Sequence, residues 1–362
     1  MDSTTSVERQ VQKEPRVTNA DGRRLRFIDG LRGVAASMVV LYHLGNRTGL
    51  RPITEWGYLG VGIFFVISGF VITSTQLNKT ITPGSIARFF ARRFVRLDIP
   101  YWVNIAVTVV LGGVLYRFGG QFHHYTNDQI IASLLYLQGI LGLPEINQVY
   151  WTLCFEIQFY LALVLVLWLA QRFRSGPASR IFQWAIVGSI LVSVLFGANV
   201  LPAPRGLMFP YWWAFALGAM TCWWRAGYVP GRMLAAAFLV LTASPFFNQV
   251  TWRITAVVTA ALLVLATRRN SMGKWLGGRI AQFFGRISYS LYLFHALIGW
   301  EAQTFADRYV GQYEALAFGI AVSVVSAWVA YALVERPAVN LSHRIKIERA
   351  APRANRILEA TQ

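Results

Sequence analysis

Ten apolar runs separated by short arginine-rich segments dominate this sequence. They fall at roughly 31–46, 57–75, 98–117, 150–171, 182–202, 207–224, 231–248, 253–267, 284–303 and 314–334. Several hold 17 to 22 residues, enough to cross about 30 Å of hydrocarbon at 1.5 Å per residue. Only 14% of the 362 residues are charged, against about 25% in a soluble protein, so a water-soluble enzyme is excluded. The 24 Phe, 15 Tyr and 13 Trp exclude a disordered chain. Two cysteines, Cys154 and Cys222, exclude a disulfide framework and a four-ligand zinc site. The expected fold is an all-α polytopic membrane helix bundle of about ten transmembrane helices, with both termini cytoplasmic.

The net charge of +18 would suggest nucleic acid in a soluble domain. Here the basic residues cluster between apolar runs, as the positive-inside rule arranges them. Ten spans put 28 of the 34 Lys and Arg on the cytoplasmic side. A shorter apolar stretch, 129–143, is bounded by Pro144. Counting it as a span would place the basic cluster of 268–286 outside, so it is expected to be re-entrant or interfacial on the outer side. No signal peptide is expected, and no internal repeat is visible. The parts are a polar tail at 1–26, a transmembrane domain at 27–340 and a basic tail at 341–362.

Ionisable residues within spans are costly, about 2.5–3.5 kcal/mol each, and mark function or structural pairing. Arg32 and His43 are eleven positions apart in the first run. That is three helical turns, so both project from one face about 16 Å apart. The plainer reading is an interfacial arginine and a headgroup-level histidine. Glu156, two turns into the fourth run, is expected to share the depth of His43 and to orient it as a general base. Interhelical hydrogen bonding is the structural alternative. His295 ends the segment Ser288-Tyr-Ser-Leu-Tyr-Leu-Phe-His295 and is equally well a satisfied bundle histidine.

Arg88, Arg92 and Arg96 follow i, i+4, i+8 spacing, with Arg93 beside them. Such a stripe suits an interfacial helix on anionic lipid or a cradle for the phosphates of a charged cytosolic ligand. The glycines of Gly60-Val-Gly62 and Ser68-Gly69 favour close helix packing by default, or passage of a slender ligand. The loop Phe122-His123-His124-Tyr125 reads as interfacial aromatic anchoring before it reads as a sugar platform.

In order, Phe27-Ile-Asp-Gly-Leu-Arg32-Gly with His43, the Gly-Val-Gly-Ile-Phe-Phe-Val-Ile-Ser-Gly-Phe run, Arg92-Arg93-Phe-Val-Arg96, Trp151-Thr-Leu with Glu156, the segment ending at His295, and Glu335-Arg336-Pro337 resemble the acyltransferase-3 family over about 27–340. The resemblance implies an integral membrane enzyme that moves an acyl group, usually acetyl, from cytosolic acyl-CoA to a hydroxyl of a carbohydrate or glycolipid acceptor. Exopolysaccharide, O-antigen and lipo-oligosaccharide sugars, or a secreted small molecule, are such acceptors. It carries catalytic roles to Arg32, His43 and Glu156, and acyl-CoA binding to Arg88, Arg92, Arg93 and Arg96. Acceptor contacts are expected from Trp151, Tyr292 and His295. No bound metal, permanent cofactor or nucleic-acid partner is implied, and a bacterial inner membrane is the expected home. The chain ends soon after its last run, so no appended hydrolase-like domain is expected. A pantetheine arm is roughly 15–20 Å long, comparable with the three-turn rise from Arg32 to His43. A proton-coupled transporter or flippase would also account for ten spans with an internal His and Glu, but not for the absent repeat or the arginine stripe.

Overall fold

The computed structural model describes residues 25–117, 125–243 and 249–345. Most of the two expected tails, including Arg23 and Arg24, and residues 122–124 of the aromatic loop lie outside the described residues. Within them every regular element is helical, as lipid demands: an α-helix satisfies its own backbone where no water is present.

The first half of the chain forms α1 (Arg26–Gly45), α2 (Arg51–Thr54), α3 (Leu59–Gln76), α4 (Pro83–Arg117), α5 (Asn127–Leu134), α6 (Gln138–Leu141) and α7 (Tyr150–Arg172). The second half forms α8 (Arg180–Gly197), α9 (Trp212–Arg225), α10 (Gly231–Thr242), α11 (Val250–Arg268), α12 (Arg279–Phe294), α13 (Trp300–Ala306), α14 (Gln312–Ala330) and α15 (Arg336–Arg344). Single π-helical turns, His295–Gly299 and Tyr331–Glu335, join α12 to α13 and α14 to α15.

Among the described residues, seven helical stretches are long and apolar enough to cross a membrane, fewer than the ten runs expected. The other three fall on α9, α10 and α12. At 14 residues α9 is about 21 Å long, and Trp213 to Trp223 are all buried. A helix apolar on every side belongs inside a bundle, and α9 is such a core helix. Helix α12 is made polar by Arg286, Ser288, Tyr289, Ser290 and Tyr292, which places it among protein rather than lipid.

Glycines set how closely the central helices approach. A Cβ on Gly69 of α3 would stand 2.0 Å from the Phe215 carbonyl oxygen, and one on Gly218 of α9 would stand 2.0 Å from that of Val66. The α3 glycines therefore serve packing, the default reading of that run. Gly33 of α1 meets the backbone of Phe284 and Gly285 in the same way, which locks α1 to α12.

The arginine stripe is not a separate interfacial helix. Helix α4 runs unbroken for 35 residues, so the stripe forms the first turns of the helix that continues through the expected third span. Pro100 lies inside α4 and has no N–H for the carbonyl of Arg96. Nearby, the Tyr289 hydroxyl donates to the Leu97 carbonyl at 2.8 Å, tying α12 to α4 beside this proline.

The 129–143 stretch forms only α5 and α6, of eight and four residues, too short to cross. Its polar fastenings lie midway along α4. Tyr101 donates to the Ser133 carbonyl, Trp102 to the Leu134 carbonyl, and Tyr136 to Asp98, while the Tyr101 and Tyr136 rings stack at 4.6 Å. The segment thus enters the bundle and turns back, the re-entrant form of the expectation. A capping box between Thr126 and Gln129 starts it, and left-handed Gly142 ends it.

Candidate active site

Helix α1 carries Arg32 and His43 on one face, as the spacing predicts. The His43 ring meets His295: Nδ1 of His43 lies 2.9 Å from Nε2 of His295. On its other side, Nδ1 of His295 lies 3.0 Å from the Leu291 carbonyl oxygen. A carbonyl only accepts, so Nδ1 of His295 carries the hydrogen. In the neutral ring Nε2 then has the lone pair. It accepts from Nδ1–H of His43, and Nε2 of His43 is left as an unprotonated base. His295 is fully buried and begins the π-helical turn, the kind of one-residue irregularity that re-aims a side chain at a functional site.

A cleft opens between α1, α3, α4, α7 and α12, with Arg32, Arg93, Arg96, Ser68, Glu156 and Tyr289 among its walls. Glu156 accepts from the Ser68 hydroxyl at 2.9 Å and from the Tyr160 hydroxyl. The Arg93 guanidinium stands 5.2 Å from the centre of the Tyr160 ring. Tyr292 and Phe64 line the same cleft and meet edge to face at 5.7 Å, and the Tyr292 ring centre is 6.1 Å from that of His295. The cleft therefore leads from the arginines, past Glu156, to within one ring of the histidine pair.

This geometry corrects the expected partnership of Glu156 and His43. No hydrogen bond or ion pair joins them, and they do not share a depth. The Tyr292 hydroxyl lies 2.6 Å from Thr152 Oγ1, which brings those two residues to one level. Glu156 is one turn beyond Thr152 on α7, and His295 is three residues beyond Tyr292 on α12. The two helices run in opposite senses in the expected topology, so Glu156 and His295 are displaced by about 10 Å along the bundle. Sequence spacing within one helix cannot report the vertical offset between two helices, and that offset selects His295.

The arginines also divide. Arg93 and Arg96, at i and i+3, turn to the cleft with Arg32. Arg92 points to α15, where Nη2 lies 2.6 Å from His343 Nδ1, and Arg88 is not among the cleft residues. Trp151 stands apart as well: its ring packs with Phe65, Phe155, Tyr211 and Trp252 at 5.6 to 6.5 Å.

Glu335 was not among the expected site residues. It ends the second π-helical turn, is buried, and accepts from Ser290 N–H at 3.2 Å and Ser290 Oγ at 2.6 Å. The charges of Arg32 and Arg96 act on it, and it counters them from behind the cleft. An acidic residue closing the last apolar run was the available signal.

Ahead of α7, the loop residue Glu145 accepts the Trp151 N–H at 3.0 Å. Burial pushes its carboxyl up to about 7, against the opposing pull of that N–H.

Residues 25–335 match the family model of the acyltransferase-3 family, described as an acyltransferase domain. The chain is similar to the acyltransferase MdmB of Streptomyces mycarofaciens, 26% identical over 91% of this chain and 95% of that protein. It is likewise similar to the putative membrane-bound transacylase BcsY of Komagataeibacter xylinus, 27% identical over 90% and 85%. Peptidoglycan O-acetyltransferase OatA of Listeria monocytogenes is 31% identical over 52% of this chain and 29% of its own length. No solved structure matches. A multi-pass helical membrane protein matched by this domain over nearly all its described length, the chain belongs to the acyltransferase-3 family and is an acyltransferase.

Proposed function

We propose that the chain transfers an acyl group, acetyl in the first instance, from cytosolic acyl-CoA to a hydroxyl of a carbohydrate acceptor on the far side of a bacterial inner membrane. The observation that carries this reading is the cleft that runs from Arg93, Arg96 and Arg32 to Tyr292, whose ring centre is 6.1 Å from that of His295 in the His43–His295 pair. Guanidinium groups suit the phosphates of CoA, and the cleft gives the pantetheine arm a route past Glu156 and Tyr292. The names of relatives support the acceptor class: one acts on peptidoglycan and is an O-acetyltransferase.

At the far end His43 Nε2 takes the proton of the acceptor hydroxyl as its oxygen attacks the thioester carbonyl carbon. The new C–O bond forms, the tetrahedral intermediate collapses, and the C–S bond breaks. The CoA thiolate leaves and recovers the proton from the His43 imidazolium. His295 acts through His43: accepting from Nδ1–H, it fixes the ring's tautomer and orientation, and the Leu291 carbonyl fixes His295 in turn. Glu156, held by Ser68 and Tyr160, shapes the cleft and balances its arginines instead of orienting the base.

The test is label transfer from acetyl-CoA by membranes containing this chain, beside a His43→Ala version at equal level. Label entering an extractable glycan with the wild type alone supports the reading and supplies the acceptor for mass analysis. Label surviving His43→Ala removes His43 as the base. No label from several acyl-CoA donors, with folded protein and glycans present, removes acyl-CoA as the donor.

A further inference from the structure

Four helices begin at the end of the bundle that the charge bias places outside, and each brings an aromatic ring to one spot. Tyr58 directly precedes α3, Trp151 is the second residue of α7, Tyr211 directly precedes α9 and Trp252 is the third residue of α11. Trp252 stands 5.6 Å from both Tyr58 and Tyr211, ring centre to ring centre. Trp151 stands 5.7 Å from Tyr211 and 6.5 Å from Trp252. Rings of a membrane-interface belt face the headgroups singly; these four face one another.

Core packing does not account for the cluster. All four rings are half-buried, whereas Phe65, one step deeper, is buried and meets Tyr211 at 6.0 Å and Trp151 at 6.3 Å. The indole N–H groups of Trp151 and Trp252 and the Tyr211 hydroxyl have no hydrogen-bond partner among the described residues. None of the three is sealed from solvent. The Tyr58 hydroxyl is engaged, with Thr251 Oγ1 at 2.8 Å. Aromatic faces with a few reachable, unpaired donors are the surface of a ligand site. The cluster also adjoins the chemistry. The Tyr42 ring meets Tyr58 at 5.9 Å and His43 at 5.1 Å, so one ring separates the cluster from the base.

We infer that these rings form an acceptor subsite, which holds a pyranose of the glycan while a hydroxyl of a neighbouring sugar reaches His43. The inference rests on the carbohydrate-acceptor reading above. A pyranose suits both features of the cluster. Its axial C–H bonds make an apolar face that stacks on an indole or phenol ring, and its hydroxyls accept from the two indoles and Tyr211. A lipid chain would leave all three donors unpaired. The donor thus arrives through the arginine cleft and the acceptor over the aromatic rings, and the two meet at His43.

Saturation-transfer NMR on the full chain in lipid nanodiscs, with no acyl-CoA present, reads binding apart from chemistry. The probes are cellotriose and chitotriose, with open-chain glucitol as a control that has hydroxyls and no ring face. Ring C–H protons of at least one trisaccharide should receive saturation, and glucitol none. Trp252→Ala should cut the signal by roughly fivefold or more. Trp252→Phe keeps a face and loses the N–H, so it should recover part of that loss; melting temperatures show which variants are folded. No saturation of either trisaccharide overturns the proposal. So does a signal that folded Trp252→Ala leaves unchanged, which would make the rings anchors of the bundle. Trp252-dependent sugar binding without label transfer in the acylation test would remove the acyl-transfer reading and keep this site. Label transfer without Trp252-dependent binding would remove this site alone.

Discussion

His43 Nδ1 lies 2.9 Å from His295 Nε2, although 252 positions separate the two residues in the chain. The Leu291 carbonyl on the far side of His295 makes the arrangement directional, from carbonyl to buried ring to half-buried ring. His295→Ala should lower turnover by roughly 10- to 100-fold, less than the 10²- to 10⁴-fold of a group that itself transfers the proton, with the donor KM nearly unchanged. His295→Gln, whose amide oxygen can accept Nδ1–H of His43, should recover part of the loss. Equal changes in kcat and KM, without rescue by Gln, would mark His295 as a packing residue only.

Arginines at the cleft should separate from the one that faces α15. Losing a hydrogen bond to a charged group costs about 1.5–3 kcal/mol, so Arg93→Ala or Arg96→Ala should raise the acyl-CoA KM by roughly 10- to 100-fold. Arg92→Ala, which loses His343 as its partner, should raise it less than about threefold. Titration calorimetry with coenzyme A alone checks the order without needing the acceptor.

Glu156 bonds Ser68 and Tyr160 and not His43, so Glu156→Gln keeps an oxygen to accept one of those hydroxyls. Its turnover should stay within about tenfold of wild type, well above that of His43→Ala, where a general base contributes about 10²- to 10⁴-fold. Initial rates at saturating donor decide this. A Glu156→Gln enzyme as inactive as His43→Ala would return Glu156 to the proton-transfer step.

Glu145 gives stability a pH dependence on the loop before α7. Its carboxyl titrates near 4.5 when unfolded and at about 7 when folded, so the folded state holds the proton more tightly. That contribution is complete below about pH 4.5 and is lost as pH rises through 7. Wild-type Tm should therefore fall between pH 5 and 8 more steeply than that of Glu145→Gln, which stays neutral. Parallel Tm curves for the two proteins would show that Glu145 does not carry the effect.

At the crossing of α3 and α9 there is no room for a side chain at Gly218, where a Cβ would reach 2.0 Å from the Val66 carbonyl oxygen. Gly218→Val should destabilise the bundle by more than the ~1–3 kcal/mol of ordinary overpacking, because the obstacle is backbone and cannot rotate away. Gly188, with nothing within 4 Å of an added Cβ, should accept Ala with little change. Monodisperse yield in detergent and thermal melting compare the two.

Much of this was readable before any helix was placed. The apolar runs dictated a helical membrane protein, because only helices and closed barrels satisfy their backbones in lipid. The charge bias kept 129–143 from being counted as a span, and α5 and α6 turn back accordingly. Eleven-residue spacing put Arg32 and His43 on one face of α1. The motif order pointed to the family that the comparisons show.

Other features depended on relations between helices. The apolar run 207–224 looks like a span until the structure reduces it to the 14-residue α9, buried on all sides. Sequence period fixes which face of a helix a residue occupies and not how far that helix is shifted against the next. The offset of about 10 Å between Glu156 and His295 decided which of them holds His43. The rotation of α4 decided that Arg93 and Arg96, and not Arg92, meet the cleft. Glu335 reaches Ser290 through the π-helical turn it ends, a register change without a periodic signature. The sequence by itself determined the solvent, the helices and the chemical groups at hand. Only tertiary packing decided which groups touch, because a contact across helices depends on axial shift and rotation that no single helix encodes.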